Sequence, residues 1–354
     1  MHHLHQSPGT PPEAVHVMRD PATGLEGVIV LHSTRLGAAA GGCRLWRYPD
    51  AAAAATDALR LAEGMAYKNA LADLPLGGGK AVIRLPQGDF DRAALFRAFG
   101  REVERLEGRY LTAEDVGTGV ADMEWVRTET AHVAGLPAAQ GAVGGDPSPW
   151  TALGVLSAME EAVRRRHGSG IAGATVAVQG LGHVGSHLCE LLANVGARLV
   201  VADVDPRRAA TCSARFDAQL VAPDAILDVP CDVFAPCALG GVLDERGAAR
   251  LKAEIVCGAA NNVLASDADG MRLATRGVLY CPDYVVNSGG IINVCGEHLG
   301  WSTAEVERRV GQTGQRLRAV LDHAEQRSLA PHRVANALAQ ARIAAGYTAS
   351  AQAA

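Results

Sequence analysis

The 354-residue chain has no C-x-x-C pair among its eight cysteines and no apolar run approaching the ~18 residues of a membrane helix. The scattered cysteines therefore outline neither a zinc site nor a disulfide framework. Many sit in apolar stretches such as "AEIVCGAA" and "VLYCPDYVV", the setting of a small buried hydrophobe, and a reducing cytoplasm suits that usage. A basic stripe is missing too. The net charge is −5, so nucleic acid is not an expected partner, and neither is a membrane. The opening "MHHLHQSPGTPPEA" lacks both a cationic start and an apolar run, which argues against a signal peptide. Its three histidines read as a frayed polar end, and no metal site is expected. What is present is globular: 48% hydrophobic and 20% charged residues, with length enough for two domains.

"LPLGGGKAVI" (74–83) runs three glycines into Lys80. A lysine behind glycines either holds a phosphate or acts on something small. A P-loop needs Gly, four residues, then Gly-Lys-Ser/Thr. Here Leu74 stands where the first glycine belongs and Ala81 where the hydroxyl belongs, so the triphosphate reading fails at two positions. A tight turn with a solvated lysine remains the plain alternative.

Residues 27–32 and 81–85 read as strands. Between them a long helical pattern starts at Asp50, a capping residue, with Leu61, Met65 and Lys68 on one face. A second helix covers 92–108, followed by a short strand at 109–113 and the glycine-rich "EDVGTGVAD". The small-residue segment 138–149 reads as an interdomain connection. Beyond it, a helix and then apolar runs at 175–179, 197–203, 231–236, 254–259 and 277–286 alternate with helical stretches, the signature of a parallel sheet covered by helices. The tail 302–345 reads as two polar helices joined near Pro331. The expected architecture is α/β. An N-terminal substrate domain (1–143, with 326–354 folding back on it) precedes a doubly wound Rossmann domain (144–325), and the active site lies in the cleft between them.

"TVAVQGLGHVGSHLCELL" places Gly180, Gly182 and Gly185 in a G-x-G-x-x-G directly after a strand and at a helix start, with His183 and Val184 inside the turn. The glycines permit a tight turn, close approach of a pyrophosphate and helix–strand packing, while the helix N-terminus offers free N–H groups. Asp203 closes the next strand 18 residues after Gly185, placed for the ribose hydroxyls of NAD. Arg207 and Arg208 follow closely and leave a 2′-phosphate as the alternative.

A nicotinamide cofactor changes the meaning of the glycine-lysine stretch. Lys68 and Lys80 stand 12 residues apart, and Asp115 sits in a strand-end loop. Two lysines and an aspartate suit an amino acid: one cation for its carboxylate, one amine for the reacting centre, one carboxylate for proton traffic.

With "GGCRLW", "GMAYKNALADLPLGGGKAVI", "RYLTAEDVGT", "GDPSPWTALGV", "VQGLGHVG", "DVFAPCALGG", "GAANNVL" and "PDYVVNSGGIINV" in this order, the chain resembles the Glu/Leu/Phe/Val amino-acid dehydrogenase family over nearly its whole length. Its motifs stand nearest the leucine-specific branch. The resemblance implies an NAD-dependent oxidoreductase that is a homo-oligomer. It implies that Lys68 binds the substrate carboxylate, Lys80 polarises the reacting carbonyl or imine, and Asp115 exchanges a proton with the α-amino group. Asn262 would assist the carboxylate, while Asn261, Asn287 and Thr151 would place the nicotinamide. Glu114 would point away. A chain that had lost catalysis is expected to lose Lys68, Lys80 or Asp115, and all three stand.

The resemblance also implies a side-chain pocket of Ala40, Gly41, Met65, Ala113, Ile291 and Val294. Glutamate-specific members carry a lysine and a serine at the positions of Ala40 and Val294. A free carboxylate there would be desolvated without a partner, so glutamate is not the expected substrate. Ala113 and Val294 match the leucine branch, but Ala40 replaces a leucine and opens room for a ring. A branched aliphatic substrate is expected, with an aromatic one as the alternative. Trp150 is a further departure, without an assigned place.

Overall fold

The computed structural model describes residues 11–138, 143–238 and 240–346. The histidine-bearing start and residues 139–142 of the expected connection lie outside them. Two compact units emerge. Of the described residues, one takes those up to 147 together with 291–306 and 338–346, and the other takes those of 148–290 with 307–337.

The first unit carries β1 (Ala14–Asp20), β2 (Leu25–Ser33), β3 (Ala39–Ala40), β4 (Cys43–Trp46), α1 (Ala51–Leu71), β5 (Gly77–Arg84), α2 (Arg92–Glu104), β6 (Tyr110–Leu111) and α3 (Val120–Arg127). Its sheet runs β1-β2-β5-β3-β6, with β4 also on β5. β2 runs antiparallel to both its neighbours, β1 and β5, whereas β3 and β4 run parallel to β5. Asp50 caps α1 as its sequence suggests, accepting from the Ala53 N–H at 2.7 Å.

Alternation along the strands divides two apolar layers. Ile29, Leu31, Ala81 and Ile83 join Phe96 and Phe99 of α2. Val28, Val30 and Val82 join Ala54, Ala58 and Leu61 of α1. Lys80, two residues before Val82, therefore lies on the face that α1 covers.

The glycines before Lys80 are strand, not loop. β5 begins at Gly77, earlier than the run from 81 suggests. A Cβ on Gly77 would stand 2.0 Å from the Ser33 carbonyl oxygen, and one on Gly78 would stand 2.2 Å from the Ala66 nitrogen of α1. The glycines let helix and strand close over the lysine. β1 has no counterpart in the sequence reading, because its alternating residues AVHVMRD follow directly on a polar start.

The second unit holds α4 (Ser148–His167), β7 (Thr175–Gln179), α5 (His183–Asn194), β8 (Arg198–Ala202), α6 (Pro206–Phe216), β9 (Gln219–Leu220), β10 (Cys231–Pro236), α7 (Glu245–Arg250), β11 (Ala253–Val256), α8 (Asp267–Thr275), β12 (Leu279–Tyr280) and α9 (Asp283–Val286). The sheet order is β12-β11-β10-β7-β8-β9, and every pairing is parallel. The chain starts at β7, moves outward through β8 and β9, then returns to β10 on the other side. This is a doubly wound sheet with its topological switch between β7 and β10. The run 277–286 is a two-residue strand followed by a helix, because Pro282 stops the strand and opens α9.

α10 (Gly289–Leu299), α11 (Thr303–Gly311), α12 (Thr313–Arg327) and α13 (Pro331–Ala345) complete the chain. The tail holds three helices where two were expected. The Ser157 hydroxyl inserts at the break, donating to the Gly311 carbonyl and accepting from the Gly314 N–H. The units also divide elsewhere than at 143 and 325. Glu297 of α10 accepts from the Gly135 and Leu136 N–H groups of the first unit. Arg318 of α12 bonds Glu161 of α4 in the second, and Arg342 of α13 returns to the Ala70 carbonyl in the first. No described helix is long and apolar enough to cross a membrane.

Candidate active site

Lys80, the lysine behind the glycines, is buried, with its Nζ 3.0 Å from Asp115 Oδ2. The solvated-turn reading is excluded by that burial. Arg44 Nε donates to the same Asp115 oxygen at 2.9 Å, and Arg44 Nη1 reaches Asp57 Oδ2 of α1 at 3.0 Å. The Tyr48 hydroxyl also donates to Asp57 Oδ2. Burial pushes the Asp115 carboxyl up, but the nearby charges of Lys80 and Arg44 outweigh it and hold the group down at about 2. The Asp115 backbone is pinned as well: its N–H donates to Thr118 Oγ1, which in turn donates to the Cys43 carbonyl. A Cβ on Gly42 would stand 2.8 Å from the Asp115 Cβ, so only glycine lets the Asp115 loop approach this closely.

Lys68 lies buried in the last turn of α1. Met65, one turn earlier, has its Cγ 3.1 Å from where a Gly41 Cβ would be, so these two expected pocket residues do meet. The Gly41 carbonyl accepts from the Tyr110 hydroxyl at 2.6 Å. Ala40 is fully buried in β3, and Ala113 is buried just after β6. Ile291 and Val294 are buried on α10, three residues apart and hence on one side of it. The Glu114 side chain lies beside Gly119 and Gly135.

In the second unit the nucleotide fingerprint stands at the C-terminal ends of β7 and β8. Gly180 has φ +91°. A Cβ on Gly185 would sit 2.0 Å from the Gly180 carbonyl oxygen, so this glycine lets α5 pack on β7. A Cβ on Gly182 would meet nothing within 4 Å, leaving open space where a pyrophosphate would approach. His183 and Val184 form the first turn of α5. Asp203, just past β8, accepts from the Leu181 N–H on Oδ2 and from the Asp205 N–H on Oδ1. An ionised carboxylate has about four acceptor sites, so two remain for ribose hydroxyls.

Asn287 donates to the Ala259 carbonyl and to Asn261 Oδ1, both at 3.0 Å, while its own buried Oδ1 has no partner. Asn262 holds a left-handed φ of +52°, and its carbonyl accepts from the Gly241 N–H. Thr151 lies in the first turn of α4, beside Gly289. An orphaned amide oxygen, an open glycine and a half-engaged carboxylate fit a nicotinamide dinucleotide.

Two features escaped the sequence reading. Arg44 was part of a quoted motif without a role, yet an arginine between Cys43 and Leu45 in a buried strand must find a carboxylate. Trp150 lines a cavity of about 350 Å³ between α4 and α5, with Pro149, Leu153, His187 and Leu191. Among the described residues, no cluster of three or more His, Cys, Asp or Glu could hold a metal.

Compared with known proteins, residues 12–132 match the Glu/Leu/Phe/Val dehydrogenase dimerisation domain, and 146–207 and 204–350 match the Glutamate/Leucine/Phenylalanine/Valine dehydrogenase domain. The chain is 43% identical over 332 residues to a leucine dehydrogenase of Thermoactinomyces intermedius, covering 94% of this chain and 90% of that enzyme. It is 41% identical over 322 residues to an L-tryptophan dehydrogenase of Nostoc punctiforme, covering 90% of each. The crystal structure of L-tryptophan dehydrogenase from Nostoc punctiforme superposes with a TM-score of 0.80, at 38% identity, over 95% of this chain and 97% of that one. These matches span both units and take in the glycine-lysine strand, the Asp115 loop and the nucleotide fingerprint, and the chain belongs to the Glu/Leu/Phe/Val dehydrogenase family.

Proposed function

We propose that the protein is an NAD-dependent dehydrogenase of an apolar L-amino acid, branched aliphatic in the first place. The reaction converts L-amino acid, NAD⁺ and water to 2-oxo acid, ammonium, NADH and a proton, reversibly. The observation that carries this reading is the buried contact of Lys80 with Asp115. It puts an ammonium group and an ionised carboxylate side by side, as deamination of an amino acid requires.

Bound NAD supplies the hydride acceptor. Gly180, Gly182, Gly185 and the N-terminus of α5 would hold its pyrophosphate, Asp203 its ribose, and Asn261, Asn287 and Thr151 its nicotinamide. Lys68 would clamp the substrate carboxylate with Asn262. Asp115 would take the proton that the α-ammonium group loses before hydride transfer, and Lys80 would polarise the imine carbon–nitrogen bond while water adds and the carbon–oxygen bond while ammonia leaves as ammonium. Asp203 faces the position of a 2′-phosphate with like charge, which favours NAD over NADP. Ala40 and Val294 offer no cation to a substrate carboxylate, which disfavours glutamate. The match of 12–132 to a dimerisation domain supports a homo-oligomer.

A second reading, an aromatic substrate, is supported by the small side chain of Ala40 and by the likeness to the L-tryptophan dehydrogenase. NADH formation across a panel of L-amino acids decides between them. Leucine, isoleucine and valine are expected to give the highest kcat/KM. No NADH from any apolar L-amino acid at alkaline pH, in folded protein that binds NAD, would sink the proposal. Lys68→Ala is expected to raise KM for the amino acid with a smaller effect on kcat, because a carboxylate clamp acts in ground and transition states alike. An unchanged KM would remove Lys68 from the carboxylate.

A further inference from the structure

We propose that Arg44 is a positioning residue of this reaction: anchored by Asp57, which Tyr48 also bonds, it holds the Asp115 carboxylate turned so that one oxygen stays free for the substrate proton. The inference rests on the dehydrogenase reading and adds to it the part that makes Asp115 usable.

The geometry is a chain of half-buried polar groups that meets the buried Lys80 on the α1 face of the sheet. Arg44 lies on β4 opposite Val82 of β5, in parallel register, while Cys43 before it turns to the α2 layer. Arg44 is only 17% exposed in its side chain, and so is Asp115. A guanidinium is planar and offers its N–H groups in a fixed fork. Here one branch, Nε, goes to Asp115 and another, Nη1, to Asp57. The Tyr48 hydroxyl donates to the same Asp57 Oδ2 and fixes that carboxylate, so the arginine cannot swing without breaking its contacts with both Asp115 and Asp57. Burial alone would lower the Arg44 pKa, but the two carboxylates raise it, and the group stays charged.

Both cations converge on one oxygen. Lys80 Nζ and Arg44 Nε each meet Asp115 Oδ2, at 3.0 and 2.9 Å. This leaves Oδ1 as the oxygen that receives a proton from the α-amino group. Lys80 must turn to the reacting centre during the cycle. Arg44 then remains as the fixed partner of Oδ2 and keeps the carboxylate from rotating or following the lysine. Among the described residues, the Cys43 thiol of β4 and the Tyr110 hydroxyl of β6 also lie near enough to feel the charge of Asp115, from the α2 side of the sheet. Burial pushes both up, so both stay neutral, and the charge balance at Asp115 is set by Lys80 and Arg44.

The test compares Arg44→Gln, Arg44→Lys and Arg44→Gln/Asp57→Asn with wild type in the full-length enzyme. The double variant removes the carboxylate that a lone Arg44→Gln would orphan, and so keeps the fold testable. A misplaced reacting group costs on the order of 100-fold in rate, and that is the expected fall in kcat, with KM for amino acid and NAD within about threefold. Arg44→Lys should not rescue, because one ammonium cannot span both carboxylates. Two readouts separate positioning from a merely structural role. Carbon-13 NMR titration of the aspartate carboxyls, with Asp115→Asn for assignment, should show the Asp115 pKa rise by about 1 unit or more once Arg44 is gone. In an Asp115→Asn background, Arg44→Gln should cost little further rate, since both act through one group. An unmoved Asp115 titration, full rescue by lysine, or losses that multiply in the double variant would each overturn the proposal. The titration reads the contact even in an enzyme with no measurable turnover, so failure of the dehydrogenase reading would be seen separately in the wild-type assay.

Discussion

Replacing Lys80 by alanine or Asp115 by asparagine is expected to lower kcat by about 10²- to 10⁴-fold, the range for loss of a proton-transfer group. The two variants should differ in stability. Lys80→Ala leaves Asp115 paired with Arg44, so the buried carboxylate keeps a cation. Asp115→Asn leaves two cations facing a neutral amide in a buried site, an arrangement that costs several kcal/mol when uncompensated. Asp115 also carries a pH signature. Its folded pKa, about 2, lies below the ordinary carboxylate value. Its contribution is therefore fully present above the unfolded pKa near 4 and is lost as pH falls through about 2. Wild type should lose stability over that window more steeply than Asp115→Asn. Steady-state kinetics and thermal melts between pH 2 and 7 check both statements. A Lys80→Ala enzyme within tenfold of wild-type kcat would take the lysine out of the chemistry.

Much of the doubly wound half is legible in the sequence because its signals are local. A glycine pattern between a strand and a helix, and an acidic residue at the next strand end, need no knowledge of distant chain. The same holds for Asp50, whose capping role follows from the residues beside it. The limits appear where tertiary contact decides. Glycines 77–79 look like a loop in sequence, yet they are strand because α1 and β2 crowd them. Gln312 interrupts the tail because Ser157, far away in sequence, inserts there. Pro282 ended a run that apolar composition alone would continue. In the candidate site, the residue types of Lys80 and Asp115 point to chemistry, but their shared contact is not readable in the sequence, since 35 residues, with a helix and a short strand among them, separate the two. Arg44 shows the converse. A charge inside an apolar strand is a signal the sequence does carry, but its role depends on Asp115 and Asp57, which only the fold brings to it.

The last expectation concerns Ala40. If its side chain lines the substrate pocket, Ala40→Leu restores bulk that would overlap an aromatic ring yet still touch a branched chain. Selectivity, read as kcat/KM for L-leucine over L-phenylalanine, should then rise by roughly 10- to 200-fold, the worth of one to three methylenes of fit. The structure supplies a competing outcome with a different readout. Ala40 is fully buried in β3, between the partners Gly78 of β5 and Leu111 of β6. If its Cβ meets only protein, three added carbons overpack the layer and cost about 1–3 kcal/mol of stability. The ratio would stay flat while the melting temperature falls. A raised ratio in an enzyme of near-wild-type stability assigns Ala40 to the pocket. A flat ratio with a lowered melting temperature assigns it to the core, and the argument against glutamate then stands on Val294. A wild type that already prefers phenylalanine or tryptophan would favour the aromatic reading, and the roles of Lys80, Asp115 and Arg44 would be unchanged.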